Sequence, residues 1–191
     1  YPIPYGTVTA PVAHHGALHV LACGRTWVVL DGSRGMSVSA IGSNPEENLP
    51  LDTDRAVLAD AGLRATLRTA SGEIELDQAF DPAPRLVIID QGPGRVAARA
   101  FFVMRSRDGL PHGNGTLDVY VYSDRVFLAP SLQLDDEPGG TTVSASGFRV
   151  TVPGDGAEIM SHGSKLMAME QGRAIPFGNE KGGFSVLVDN P

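Results

Sequence analysis

Thr116-Leu117-Asp118-Val119-Tyr120-Val121-Tyr122-Ser123-Asp124-Arg125-Val126-Phe127-Leu128 is the stretch that decides the fold. Two runs rich in β-branched and aromatic residues flank a two-residue polar turn, Ser123-Asp124, as in an antiparallel hairpin. Closing the hairpin there sets Val121 against Val126, Tyr120 against Phe127 and Val119 against Leu128, with Tyr122 opposite Arg125. Side chains alternate across a strand, so Val119, Val121, Val126 and Leu128 share an aliphatic face that belongs in a core. Asp118, Tyr120, Tyr122, Arg125 and Phe127 share the other. That second face either packs under another sheet or lies open as a stacking platform, and a slip of one residue would exchange the two. The turn lacks the glycine of the most favoured two-residue turns, so a longer loop is the competing reading.

The rest of the 191-residue chain is punctuated in the same manner. Its 23 glycines and 14 prolines suit a fold of many short strands and turns. Alternation and β-branched content place strands at 7–13, 17–22, 26–30, 36–41, 63–69, 73–77, 85–90, 95–104, 116–122, 125–134, 141–146, 148–152, 157–160, 165–170 and 183–188. Hairpin turns are legible at Ala70-Ser71-Gly72 and Ser146-Gly147, and Gly24-Arg25 and Gly32-Ser33 close the first strands. One segment, 51–62, leans helical, with Asp52 or Thr53 as cap and Gly62 as stop, or else holds a strand at 55–59. The connectors 43–50 and 134–140 read as surface loops. A single domain spanning 1–191 is expected, because the roughly 50 residues after Gly140 would be marginal alone. These features predict an all-β fold, a large antiparallel two-sheet sandwich, with a jelly roll as the alternative.

Composition narrows the function classes. A hydrophobic content of 42% and a charged content of 19% are those of a folded globular chain. A formal net charge of -7 with no clustered Lys/Arg run argues against a nucleic-acid partner, which needs a basic stripe to displace counterions. Cys23 is the lone cysteine, so neither an intrachain disulfide nor a cysteine zinc site can form. Within Leu18-His19-Val20-Leu21-Ala22-Cys23 it reads as a buried thiol. No apolar run approaches the about 20 residues that span a bilayer. The chain carries no signal peptide and opens on Tyr1, so a processed protein or an excised domain is expected. The sequence leaves the localisation open, with an extracellular or cell-surface address favoured if a leader was removed. Just two of the 15 basic residues are lysines, Lys165 and Lys181, a bias associated with bacterial sources.

Chemistry-bearing motifs are sparse. Of the 5 histidines, adjacent His14 and His15 point to opposite faces of an extended stretch. A metal would need His15 or His19 joined by distant ligands, and no HxH or HExxH motif supplies them, so no metal site is expected. Pro111-His112-Gly113 and Ser161-His162-Gly163 read as turns bearing exposed imidazoles. Asp90 ends a buried-looking run, Leu86-Val87-Ile88-Ile89-Asp90, and Asp118 lies inside the hairpin; such acids within strands call for an arginine partner. Asp52-Thr53-Asp54 and Asp135-Asp136-Glu137 lack the regular alternation of a calcium loop. No nucleophile elbow occurs, and no cofactor motif either.

The segment Gly113-Asn114-Gly115-Thr116 through Leu128 resembles strand pairs of galactose-mutarotase-like β-sandwich domains of bacterial carbohydrate-processing enzymes, including those attached to polysaccharide lyases and glycoside hydrolases. The shared pattern is a glycine turn, an alternating strand, Tyr122-Ser123-Asp124-Arg125 and a second alternating strand. The resemblance implies a sandwich that accompanies glycan-active proteins, and it carries over no catalytic residue. The leading expectation is therefore a non-catalytic carbohydrate-associated module. Tyr120, Tyr122 and Phe127 would stack on sugar rings, Arg125 and Asp118 would bond hydroxyls, and His112 would add a contact from its turn. A homo-oligomer is compatible with the same faces. The alternatives are a structural subunit of a capsid, tail or surface assembly and, with least support, a hydrolase or lyase pairing an acid such as Asp90 with a histidine.

Overall fold

The computed structural model describes residues 12–44, 56–58, 60–135, 142–151, 158–160, 174–179 and 182–187. Their strands are β1 (Val12–His15), β2 (Leu18–Cys23), β3 (Thr26–Asp31), β4 (Ser37–Ser43), β5 (Ala56–Leu58), β6 (Asp60–Thr69), β7 (Gly72–Asp77) and β8 (Arg85–Gly92). They continue as β9 (Arg95–Ser106), β10 (Pro111–Tyr122), β11 (Val126–Leu134), β12 (Thr142–Thr151), β13 (Glu158–Met160), β14 (Ala174–Asn179) and β15 (Gly182–Leu187). The fold is all-β and antiparallel. Strands β1 to β13 join one hydrogen-bonded sheet whose main path runs β1-β2-β3-β4-β6-β7-β9-β10-β11, while β14 and β15 pair separately.

That single ladder folds over itself into two layers. Leu21 and Cys23 of β2 and Val28 and Leu30 of β3 share one core with Val96, Ala98 and Ala100 of β9 and Leu117, Val119 and Val121 of β10. None of β2 or β3 is hydrogen-bonded in register to β9 or β10, so these strands meet face to face. Two polar contacts tie the layers at one end: Thr26 Oγ1 donates to the Ser123 carbonyl at 2.9 Å, and Cys23 Sγ approaches the Pro93 carbonyl at 3.8 Å. A second cluster, built on Trp27, Val20, Val29, Ala40 and Ala56, fills the other side of β2–β4. Trp27 lies opposite Gly42, where a Cβ would fall 2.2 Å from the indole ring; only glycine leaves room for it.

The sheet can fold because two buried side chains replace backbone partners where strands diverge. On β6, Ala61 pairs with β4 and Arg64 with β7. Between them the Leu63 amide donates to Gln78 Oε1 at 3.0 Å, and Gln78 Nε2 donates to the Gly35 carbonyl at 2.8 Å. On β9, Arg105 pairs with β7 and Phe101 with β8, and the Val103 amide between them donates to Asp81 Oδ2 at 2.9 Å. Gln78 opens and Asp81 follows the short 3-10 turn Gln78–Phe80, whose cap Asp77 accepts from the Ala79 amide at 2.8 Å. Each replacement satisfies a backbone group that would otherwise be buried without a partner.

Several expectations are revised. Of the two readings of 51–62, the strand within 55–59 is the one found, as β5 at 56–58, and the described residues hold no helix there because β6 begins at Asp60. Tertiary pairing to β4 overrides the segment's weak helical preference. Ser146-Gly147 is not a turn either, since β12 runs through it unbroken against β6, Gly147 opposite Arg64. The buried-looking run at 86–90 is an edge strand beside β9, with Val87 40% and Ile89 53% exposed. Strand β14 has no counterpart in the sequence reading. The expected strand 165–170, the loop 45–50, Asp52-Thr53-Asp54 and His162 lie outside the described residues.

Candidate functional site

The hairpin of β10 and β11 closes in the register read from the sequence, with Val121 on Val126, Tyr120 on Phe127 and Val119 on Leu128. The Tyr122 amide donates to the Arg125 carbonyl at 2.8 Å across the two-residue turn. Val119 and Val121 are completely buried. On the opposite face Asp118, Tyr120 and Tyr122 are half-buried, Arg125 is exposed, and Phe127 is 50% exposed. The aromatic-charged face therefore meets solvent.

Neighbouring strands extend this face into a grid. One row across β8, β9, β10 and β11 reads Arg85–Phe101–Thr116–Ser131. The next reads Val87–Arg99–Asp118–Ala129, and the third Asp90–Ala97–Tyr120–Phe127. Arg95 and Tyr122 begin a fourth. Tyr122 meets Phe127 edge to face, ring centroids 5.9 Å apart, the arrangement that aromatic quadrupoles favour. At the far end an open depression of about 280 Å³ is lined by Phe101, Asn114, Thr116, Ser131 and Gln133 together with Gly115.

Ion pairs hold the charged groups of the grid in place. Asp118 takes a bidentate fork from Arg99, at 2.5 Å from Nε and 2.7 Å from Nη2. Asp90 receives Arg95 at 3.0 and 2.6 Å. Asp118 first, for Arg99, and Asp90 first, with the Tyr122 hydroxyl second, for Arg95, push these guanidinium pKa values up. Arg125 pairs with its neighbour Asp124 at 2.9 Å, both largely exposed. Arg125 is thus not the partner of Asp118. The sequence showed that Asp118 needed an arginine, but identifying Arg99 required the β9–β10 register.

His112 is not on this face and not exposed. It is buried at the other end of β10, with Nε2 3.1 Å from Ser106 Oγ. Ser106 Oγ donates to the Asp108 carboxylate, which lowers the Asp108 pKa. The order is carboxylate, hydroxyl, imidazole, with the serine in the middle. The cluster ties the end of β9 to the start of β10 across the 107–110 turn. The backbone closes the same turn: Ser106 N donates to the Leu110 carbonyl at 3.0 Å and Gly109 N to the Ser106 carbonyl at 2.9 Å.

The histidines at the first hairpin also meet unexpectedly. His14 and His19 lie opposite each other on β1 and β2, their Nδ1 atoms 2.7 Å apart and their rings nearly perpendicular at 83°. Desolvation, then the neighbouring His14, push the His19 pKa down, against a smaller upward pull from Asp31. Among the described residues, no group of three or more metal-binding side chains comes together. Nor is any helix among them long and apolar enough to cross a membrane.

No protein-family model matches the chain, and no curated protein matches it. The site is accordingly defined by its own geometry. Sequence reasoning missed Phe101, Asn114, Thr116, Ser131 and Gln133. Asn114 and Thr116 are legible as outward positions of the β10 alternation, whereas the others depend on register with β9 and β11.

Proposed function

We propose that this chain is a non-catalytic carbohydrate-binding module whose glycan platform is the outer face of β9, β10 and β11. The observation that carries the reading is the solvent contact of Tyr120, Tyr122 and Phe127 on one face of the sheet. Aromatic faces suit the C–H faces of sugar rings, and fixed Asp and Arg groups beside them suit the ring hydroxyls. The bidentate Arg99–Asp118 pair leaves little rotamer freedom to lose on binding. The amide and hydroxyl groups of Asn114, Thr116, Ser131 and Gln133 continue the same chemistry into the depression.

A glycan array followed by calorimetry on the best ligand tests this. Tyr120→Ala and Tyr122→Ala should each weaken binding by about tenfold or more, as truncation of a central aromatic contact does, with thermal melts confirming that both variants fold. Unchanged affinity in both would remove these residues from any site. A second reading, a subunit of a larger assembly, draws on exposed Val87, Ile89 and Phe127. Light scattering separates the two: a closed oligomer that protects these side chains would favour assembly.

A further inference from the structure

We infer that the saccharide taken by this face is acidic, and that Arg85 receives its carboxylate or sulfate group. The inference rests on the glycan reading above and specifies its substrate class. Four arginines lie on or at the edge of the grid: Arg85, Arg95, Arg99 and Arg125. Three of them are matched by Asp90, Asp118 and Asp124. Arg85 differs. Its guanidinium lies over the Phe101 ring, 4.6 Å from the centroid, and among the described residues no carboxylate pairs with it.

A guanidinium resting on an aromatic ring is charged and weakly hydrated, and the contact limits its rotamers. Its N–H groups lie in one plane, so a cation held this way keeps donors for a planar or tetrahedral oxyanion. The position of Arg85 gives that anion an address. Phe101 stands directly opposite Arg85 and also lines the depression, followed along the row by Thr116 and Ser131. A sugar ring seated against Phe101 would place its hydroxyls near Thr116, Ser131, Asn114 and Gln133 and an acidic substituent near Arg85. The depression, about 280 Å³, suits one such ring rather than an engulfed oligosaccharide. Within the grid the arginines outnumber the aspartates by one, although the chain as a whole carries a net charge of -7. Among the described residues, the unmatched positive charge on this face is that of Arg85.

The test is calorimetry on the full chain with four probes: a uronate oligosaccharide, its methyl ester, a sulfated oligosaccharide and the unsulfated parent. The acid should bind more than about tenfold more tightly than its ester, the increment expected of a charge-assisted hydrogen bond. Arg85→Gln should bring the acid down to the affinity of the ester, and Arg85→Lys should restore only part of the difference, because a lysine keeps the charge but loses the fork. A preference for the sulfated probe over its parent, also lost in Arg85→Gln, would assign the anion as sulfate. Equal binding of acid and ester, with no preference for the sulfated probe, overturns the acidic assignment and leaves the glycan platform standing. Arg85→Gln weakening charged and neutral probes equally has the same consequence. Failure of all four probes and of a neutral glycan array removes the platform itself.

Discussion

Strand β3 is buried at every position from Thr26 to Leu30, whereas β10 alternates from Gly115 to Tyr122 between buried and half-exposed residues. Both strands contribute one face to the same core, Val28 and Leu30 from β3 and Leu117, Val119 and Val121 from β10. They differ on the other face. Behind β3, Trp27 and Val29 pack with Val20, Ala40 and Ala56 into a second apolar cluster. On β10, the equivalent positions carry Asp118, Tyr120 and Tyr122 among arginines of β9. The comparison separates the layer whose two faces both serve stability from the layer with a face left for contact. Cross-strand ion pairs rather than packing order that second face, and solvent screens the exposed arginine of each pair.

The largest effect expected from this contrast is on stability. Trp27→Ala should cost about 3–5 kcal/mol, since it empties a site filled by a completely buried indole. Tyr120→Ala, at the matching outer position of β10, should cost about 1 kcal/mol or less. Urea unfolding at constant m compares them directly. A Tyr120→Ala penalty as large as that of Trp27→Ala would mean that the β10 face is packed, and the contrast between the layers would collapse.

Next in size is the hinge between the layers. Gln78→Leu keeps the side-chain volume but leaves the Leu63 amide and the Gly35 carbonyl without their partner. Burial of an unsatisfied group costs about 1–3 kcal/mol, partly offset here by the apolar leucine, so a net loss of about 2 kcal/mol is expected. Faster hydrogen exchange at the Leu63 amide would localise the loss to the gap between β4 and β7. A variant as stable as the parent with unchanged protection would show that the sheet closes this gap without Gln78.

These differences mark where the sequence was readable. Within the hairpin, a two-residue turn and strict alternation specify register, so faces and pairings followed from Thr116 to Leu128 alone. The presence of β9 was legible too, expected at 95–104 and found at Arg95–Ser106. The fold of the sheet onto itself was not, because it depends on Gln78 and Asp81, two residues without any local signature that act across 43 and 22 positions of chain. Arg85 and Phe101 illustrate the same limit at the site. Each reads as an ordinary outward strand residue, and their stacking exists only once β8 and β9 are in register. His112 failed differently. The flanking proline and glycine suggested a turn, but the turn lies just before it, at 107–110, and β10 begins at Pro111.

The smallest expected effect concerns pH and belongs to the β1–β2 edge of the doubly buried layer. With Nδ1 atoms 2.7 Å apart, His14 and His19 have room for one proton between them, so one ring donates and the other accepts. Burial of His19 opposes its charge, and a cationic His14 beside it opposes that charge further. Its folded-state pKa accordingly lies below the ordinary 6.5. The unfolded chain then binds more protons than the folded one just below pH 6.5, so stability rises with pH there. The contribution is complete above about pH 6.5 and is lost progressively as pH falls through the lowered folded-state value. Urea midpoints measured from pH 8 to 5 should decline over the acidic half of that range, and His19→Gln should flatten the decline. A dependence of the opposite sign, or one that survives His19→Gln unchanged, would place the titrating group elsewhere and leave this edge as inert as the rest of its layer.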